Sequence, residues 1–372
     1  MKEYLKKIIK VLKKYNLRNK YNKKILKLIT LNNLSSLENA EKVEILKFWK
    51  KYLKGRKINE KWHIYYKKFN KFDEKYIPED IFYEEIEPKC NSYFELTQAY
   101  NDKNYHDLLY PNLKKPKVVL KNINGIFYDS DMNILLSKEV ERYLKKQQDT
   151  TLIIKPSLDS AGAKNVNKIR INKDYIFFNN EKKYWSDLLK IYKKDFLIQE
   201  IVTQSEELNK IYNKSLNTLR FMTYRDGEEF DILSIIIRIG DNGAEVDNLV
   251  KGGFGVGINK ITGKLNKFGV DKSGKIIKEK HPETGYRFAD FEIPNWQNIL
   301  KNIEEWSKAI PPYFKLCSWD IGIDYNNNPI FIECNLDGQE INFHQVNNGP
   351  LFGNKTEYYL NKILKETNHE EN

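Results

Sequence analysis

This sequence is short of the residues that build metal cages and covalent cross-links. Three cysteines (Cys90, Cys317 and Cys334) in 372 residues give neither a disulfide framework nor a CxxC zinc spacing, which fits a reducing cytoplasm. Five histidines (His63, His106, His281, His344 and His369) are scattered without metal-ligand spacing. No Ser-His or Cys-His constellation suggests a covalent enzyme nucleophile. No apolar run approaches a membrane span, and lysines interrupt the opening segment at every turn, so neither an anchor nor a signal peptide is expected. Acidic residues are scarce in one region only. Residues 1–70 hold 21 Lys+Arg against 5 Asp+Glu, a net of +16 in a chain of net +12, which leaves −4 for residues 71–372.

What is present belongs to a folded protein. Hydrophobic residues make up 40% and aromatics 13%, and the length accommodates two or three domains. Residues 2–14 place Leu5, Ile8, Ile9 and Leu12 on one helical stripe with lysines elsewhere, a basic amphipathic helix. Such a helix suits an anionic membrane surface or an acidic polymer, and the plainer alternative is packing on its own domain. Helical patterns follow at about 20–31 and 37–54. An aromatic-rich stretch runs from Trp62 to Phe72, and prolines at 78 and 88 are expected to break what comes next.

From Lys115 the texture changes to short strands. KPKVVLKNINGIFYD gives two strands about Asn122–Gly125, residues 136–147 a helix, and 150–156 a buried strand ending in Lys155-Pro156. Small residues, Ser157 to Ala163, follow that strand, where backbone N–H groups could approach phosphates beside a fixed lysine charge. Residues 196–202 form another strand, and 216–240 two long strands about Asp226-Gly227. Arg220 and Arg238 lie inside these apolar runs, where a buried guanidinium needs an anion. Glycines crowd 246–258, a sign of close ligand approach or of a bulged hairpin.

The segment KLCSWDIGIDYNNNPIFIECN (315–335) organises the rest. A two-residue turn at Asn326-Asn327 would set Ile323 opposite Ile330, Ile321 opposite Ile332 and Trp319 opposite Cys334 on an apolar face. On the other face Asp320 would meet Glu333, with Asn335 pointing the same way. Carboxylates about 5 Å apart repel, so a positive group is expected between them, and a hard divalent cation with oxygen ligands suits the site.

The order of these parts, with DKNYHDLLYP (102–111), SLNTLR (215–220), EVDNLVKGGFGVGI (245–258), HPETG (281–285) and WDIGID (319–324), resembles the sugar-transfer-associated group of the ATP-grasp superfamily over roughly residues 100–365. The resemblance implies an α+β fold, two lobes gripping ATP, behind a helical Lys-rich module at 1–100. The catalytic part would span 101–372, with a nucleotide-gripping lobe at about 115–200 and a metal and acceptor lobe at 201–372. Lys155 would meet the α/β-phosphates, assisted by Lys121 in competition with Lys115 and Lys117. The 157–163 loop, including Ser157, Ser160 and Gly162, would close over them. Gln199, Glu200 and Ile201 would read adenine and Glu207 the ribose. Asp320, Glu333 and Asn335 would hold Mg²⁺, two ions in all, and Arg220 and Arg238 would neutralise the moving phosphoryl group. Asn248, Gly252 and Gly253 would line the acceptor side.

The implied activity is an ATP-dependent carboxylate–amine ligase working through an acylphosphate. Its products would serve surface polysaccharide biosynthesis, with an amino acid or amine attached to a sugar carboxylate. Two alternatives are a phosphotransferase acting on a hydroxyl and a binder of nucleic acid or another anionic polymer through residues 1–70, although no dedicated nucleic-acid motif is present. A cytoplasmic protein is expected, peripheral to the inner membrane face if the basic segment touches lipid.

Overall fold

The computed structural model describes residues 2–53, 55–158, 165–179, 181–243 and 252–365. Its first helix, α1 (Lys2–Leu31), is continuous where the pattern predicts two pieces. No glycine or proline interrupts it, so the backbone ladder has no reason to stop. Tyr21, Ile25 and Leu28 bury its second half beside Trp62 and Tyr65. Part of its charge is neutralised internally: Lys14 lies 3.1 Å from Glu85, Lys24 2.6 Å from Glu79, and Arg18 pairs with Glu84.

Pro88 does not break the chain as expected. Glu79–Ile81, Phe82–Ile86 and Glu87–Cys90 follow end to end, the middle piece being a π-helical turn. Proline offers no N–H, and its ring crowds the carbonyl four residues back. A widened turn just before it lets the helix continue. This run shares an apolar core with the C-terminal part of the molecule, in which Ile81, Phe82 and Ile86 pack with Met222, Tyr224, Leu316, Ile341 and Tyr359.

Among the described residues two antiparallel sheets carry the rest. The first contains β1 (Val118–Ile123), β2 (Ile126–Tyr128), β3 (Ile134–Leu135), β4 (Thr151–Pro156), β5 (Asn167–Ile171), β6 (Ile176–Phe178), β7 (Glu181–Lys183) and β8 (Phe196–Glu200), in the order β3-β2-β1-β8-β4-β5-β6-β7. One face, with Leu120, Ile154 and Ile198, packs under the helices α2 (Ser137–Lys145) and α3 (Trp185–Tyr192). The second contains β9 (Thr218–Asp226), β10 (Glu229–Ile239), β11 (Phe254–Ile258), β12 (Leu265–Asp271), β13 (Ile276–Lys278), β14 (Leu316–Ile323) and β15 (Pro329–Asn335), in the order β13-β12-β11-β10-β9-β14-β15. Leu219, Phe221, Ile237, Trp319 and Ile321 bury one of its faces.

The β14–β15 hairpin departs from the predicted register in one half. Asp320 pairs with Glu333 and Trp319 with Cys334 as expected, but Ile321 pairs with Phe331 and Ile323 with Pro329. The turn holds three residues, not two. Asp324 closes it, its N–H donating to Asn328 O at 2.9 Å and its Oδ1 accepting from the N–H groups of Asn326 and Asn328, while Asn327 takes a left-handed φ of 62°. An odd loop offsets the pairing by one, and a bulge at Ile332 restores it before the carboxylates. All three cysteines are free and buried.

Candidate active site

Strand parity puts the chemistry of both sheets on the faces away from these cores. In the first sheet Lys121 and Lys155 both pair with Leu197, on either side of it, so one rung carries two lysines on one face. Gln199 shares that face and is buried, whereas Glu200 at the strand end is exposed, its N–H donating to Lys117 O at 2.9 Å. Ile201 lies just past the strand. Glu207, in the Glu206–Ile211 helix, accepts from the Ser205 hydroxyl at 2.8 Å.

Lys121 is fully buried and lies 3.1 Å from Asp107 Oδ2. Lys155 is buried without an ion pair among the described residues. Burial, and then the neighbouring charge of Lys103, push its ammonium down to about 7, with Glu333 opposing them. Ser157 follows at the strand end with its buried hydroxyl unpartnered. Ser160, Gly162 and Asn248 lie outside the described residues.

The second sheet supplies a charged rung. Glu333 on β15, Asp320 on β14 and Arg220 on β9 are consecutive partners, and Arg238 is two residues along β10 from Arg220's partner Ile236. Arg220 forks onto Asp320, with Nε 2.8 Å from Oδ1 and Nη2 2.7 Å from Oδ2, while its Nη1 meets Glu340. Arg238 Nη2 lies 3.1 Å from the same Asp320 Oδ2, and its guanidinium also donates to Thr218 Oγ1. The predicted positive group beside the carboxylates is therefore present as two arginines and a lysine. Lys103 Nζ sits 2.8 Å from Glu333 Oε2. Burial opposes ionisation of Glu333, yet Lys103, with help from a hydrogen bond involving Asp320, holds its carboxyl far below the usual range. Asn335 lies two residues along, its side-chain nitrogen buried and unpartnered.

Two hard carboxylates and an amide oxygen are the donor types Mg²⁺ takes, whereas the unpartnered Asn335 Nδ2 is a donor that would face an acceptor such as a phosphate oxygen and not the cation. The described residues hold no group of three or more His, Cys, Asp or Glu side chains arranged for a metal, so this trio depends on its amide. Of the glycines expected on the acceptor side, Gly252 has φ of 105°, a conformation that favours glycine, and Gly253 is buried.

Lys103 and Glu340 escape a reading of the sequence by residue type. Lys103 lies within DKNYHDLLYP, so the signal was there, but a lysine in a polar loop looks solvated. In fact its N–H donates to Ser157 O at 3.0 Å, which ties it to the end of β4. Glu340 precedes the helix α4 (Ile341–Asn348) with a left-handed φ of 54°, and its N–H donates to the Tyr83 hydroxyl at 2.9 Å. On α4 itself, His344 is buried beside Arg220 with neither ring nitrogen hydrogen-bonded. Burial and then that positive charge push it down to about 3, so it stays neutral.

Both sheets thus turn charge away from their cores, lysines on the first and an arginine–carboxylate rung on the second, and the family model that matches this chain is one of ATP-grasp enzymes. The chain belongs to the sugar-transfer-associated ATP-grasp family, which matches residues 95–358. Among solved structures it is similar to the L-amino acid ligase from Bacillus licheniformis, at 12% identity and a TM-score of 0.39 over 72% of this chain; the chain spans 48% of that ligase. It is also similar to the D-alanine–D-alanine ligase from Bacillus anthracis, at 14% identity and a TM-score of 0.36, covering 73% of this chain and 69% of that one. A third is the VanG D-Ala:D-Ser ligase from Enterococcus faecalis, at 12% identity and a TM-score of 0.39, covering 72% and 61%. No curated protein matches this chain.

Proposed function

We propose that the chain joins a carboxylate to an amine through an acylphosphate, adding an amino acid or amine to a sugar carboxylate for surface polysaccharide in the cytoplasm. The observation that carries this is the pairing of Lys103 with Glu333 and of Arg220 and Arg238 with Asp320, with the buried Lys155 near enough to Glu333 to feel its charge. Phosphoryl transfer needs mostly position and charge neutralisation, which these groups supply.

Lys155 and Lys103 would grip the nucleotide phosphates, with Lys121 behind them and Ser157 donating its free hydroxyl. The residues of the 157–163 loop, Ser160 and Gly162 among them, would cover the phosphates. Gln199, Glu200 and Ile201 would read adenine, and Glu207 the ribose. Asp320, Glu333 and Asn335 would hold Mg²⁺, two ions in all, which when bound supplies charge neutralisation between phosphate oxygens. Arg220 and Arg238 would stabilise the γ-phosphoryl group as its bond to ADP breaks and its bond to the carboxylate oxygen forms. The amine then attacks the acyl carbon, and phosphate leaves with the C–O electron pair. Asn248, Gly252 and Gly253 would line the acceptor side.

Product analysis tests this. With a uronic acid sugar and an amino acid panel, the expected products are ADP, phosphate and an amide, and hydroxylamine in place of the amine should give a hydroxamate. AMP and pyrophosphate, or a stable phosphorylated sugar formed without any amine, would overturn the assignment.

A further inference from the structure

The two halves of α1 turn opposite faces to the protein. At about 100° per residue, the buried positions Tyr21, Ile25 and Leu28, with half-buried Leu17, centre on one side of the helix. The apolar residues of the first half centre roughly 150° away from them. Those whose side chains are described are left in solvent: Ile9 is 48% exposed, Val11 65%, Leu12 54% and Tyr15 61%, and Leu26, on the same side three turns on beyond Asn19 and Lys23, is 48% exposed. The side that faces inward at this level is basic, and Lys14 and Arg18 there are taken up by Glu84 and Glu85. This inverts the arrangement of a helix packed on its own domain.

Lys13, Lys20 and Lys27, seven residues apart and all exposed, run along one border of this outward patch. An exposed apolar cluster edged by lysines is complementary to a surface with an apolar interior and an anionic skin. We infer that α1 is an interfacial helix which seats Ile9, Leu12 and Tyr15 in an anionic phospholipid bilayer. A second copy of the chain is a poorer occupant, because two such faces would bring their lysine rows together. A soluble acidic polymer would leave the apolar cluster in water. No helix among the described residues is long and apolar enough to cross a membrane, so the contact is peripheral.

The test uses the full chain and vesicles of phosphatidylcholine with or without phosphatidylglycerol. The protein should pellet with the anionic vesicles, less so as salt rises. The double variant Leu12→Glu/Tyr15→Glu should bind at least about tenfold more weakly, because it removes two large apolar side chains from the contact. Both positions are exposed, so it should keep its circular dichroism and melting temperature. Equal pelleting by the double variant would overturn the inference. So would retention of the wild type only on a soluble polyanion, or a concentration-dependent dimer that the double variant abolishes without lipid.

Discussion

The two sheets hold their positive charge in different ways. On the first, Lys155 is buried with no ion pair among the described residues, and its ammonium is pushed down to about 7. On the second, Arg220 has every guanidinium nitrogen occupied, two on Asp320 and one on Glu340, and burial does not prevent its charge from being held more firmly than usual. The first arrangement is a buried cation that an anion could still neutralise. The second is already neutral, and its arginines reach a ligand only by sharing or exchanging their carboxylates. On the proposed function, the first kind of cation would hold the nucleotide phosphates and the second the point of transfer.

The difference can be broken most severely at Asp320. Asp320→Ala would strand Arg220 and Arg238 without their shared partner in a buried position, so a loss of about 3–5 kcal/mol is expected in urea unfolding. Lys155→Met should do the reverse, because removing an unpaired buried ammonium leaves the unliganded fold as stable or more so. A comparable loss from both would mean the two sheets do not differ in this way. Arg220→Ala comes next. On the proposed function it should lower kcat by roughly 10²–10³-fold while leaving nucleotide affinity within a few-fold, since its donors would serve the transferring group. An equal loss in ATP binding would place Arg220 with the lysines.

A third effect is the pH dependence of nucleotide binding. Lys155 is charged below about pH 7 and neutral above it, against an ordinary lysine value of 10.5. The phosphate tail favours the charged form. Binding above pH 7 must therefore take up a proton, and ADP affinity should fall about tenfold per pH unit there and level off below. In the unliganded chain the sign reverses. The unfolded state holds this proton from about pH 7 to 10.5, so the contribution to stability improves as pH rises through that window. Calorimetry in buffers of different ionisation heat reads the proton uptake directly, and Lys155→Met should abolish it.

How much of this could be read from the sequence depends on the range of the interaction. The Asp320–Glu333 pairing is local, and alternation along one hairpin sufficed, although a three-residue turn and the bulge at Ile332 cancelled in a way no spacing reveals. Arg220 and Arg238 announced themselves as charges inside apolar strands, yet their common partner Asp320 lies about a hundred positions away from one of them. Lys103 and Glu340 could not be singled out. Both sit in polar segments that look like solvated loops until the fold brings Ser157 and Tyr83 against them. The inverted face of α1 was equally hidden, because amphipathicity gives a stripe but not the direction in which it points.

The smallest effect tests whether the helical segment serves the second sheet. Tyr83 lies before residue 95, where the family match begins, yet its hydroxyl accepts the N–H of Glu340, and its ring stacks on Tyr21 of α1 at 4.8 Å. Glu340 in turn holds the third nitrogen of Arg220 from a left-handed backbone conformation that typically costs about 1–3 kcal/mol and persists only where its surroundings enforce it. Tyr83→Phe keeps the stacked ring and deletes one hydrogen bond, so unfolding should show a loss of about 1 kcal/mol. With Glu340 held less firmly, Arg220 keeps its fork on Asp320 but loses a fixed third contact. The rate should then drop by less than about tenfold, well short of the Arg220→Ala effect. Nucleotide binding, which the proposed function rests on the first sheet, should not move. A Tyr83→Phe enzyme with an unaltered rate would mean the helical segment only packs against the catalytic sheet. A defect in ADP affinity would mean the hydroxyl acts through the lysines and not through Arg220.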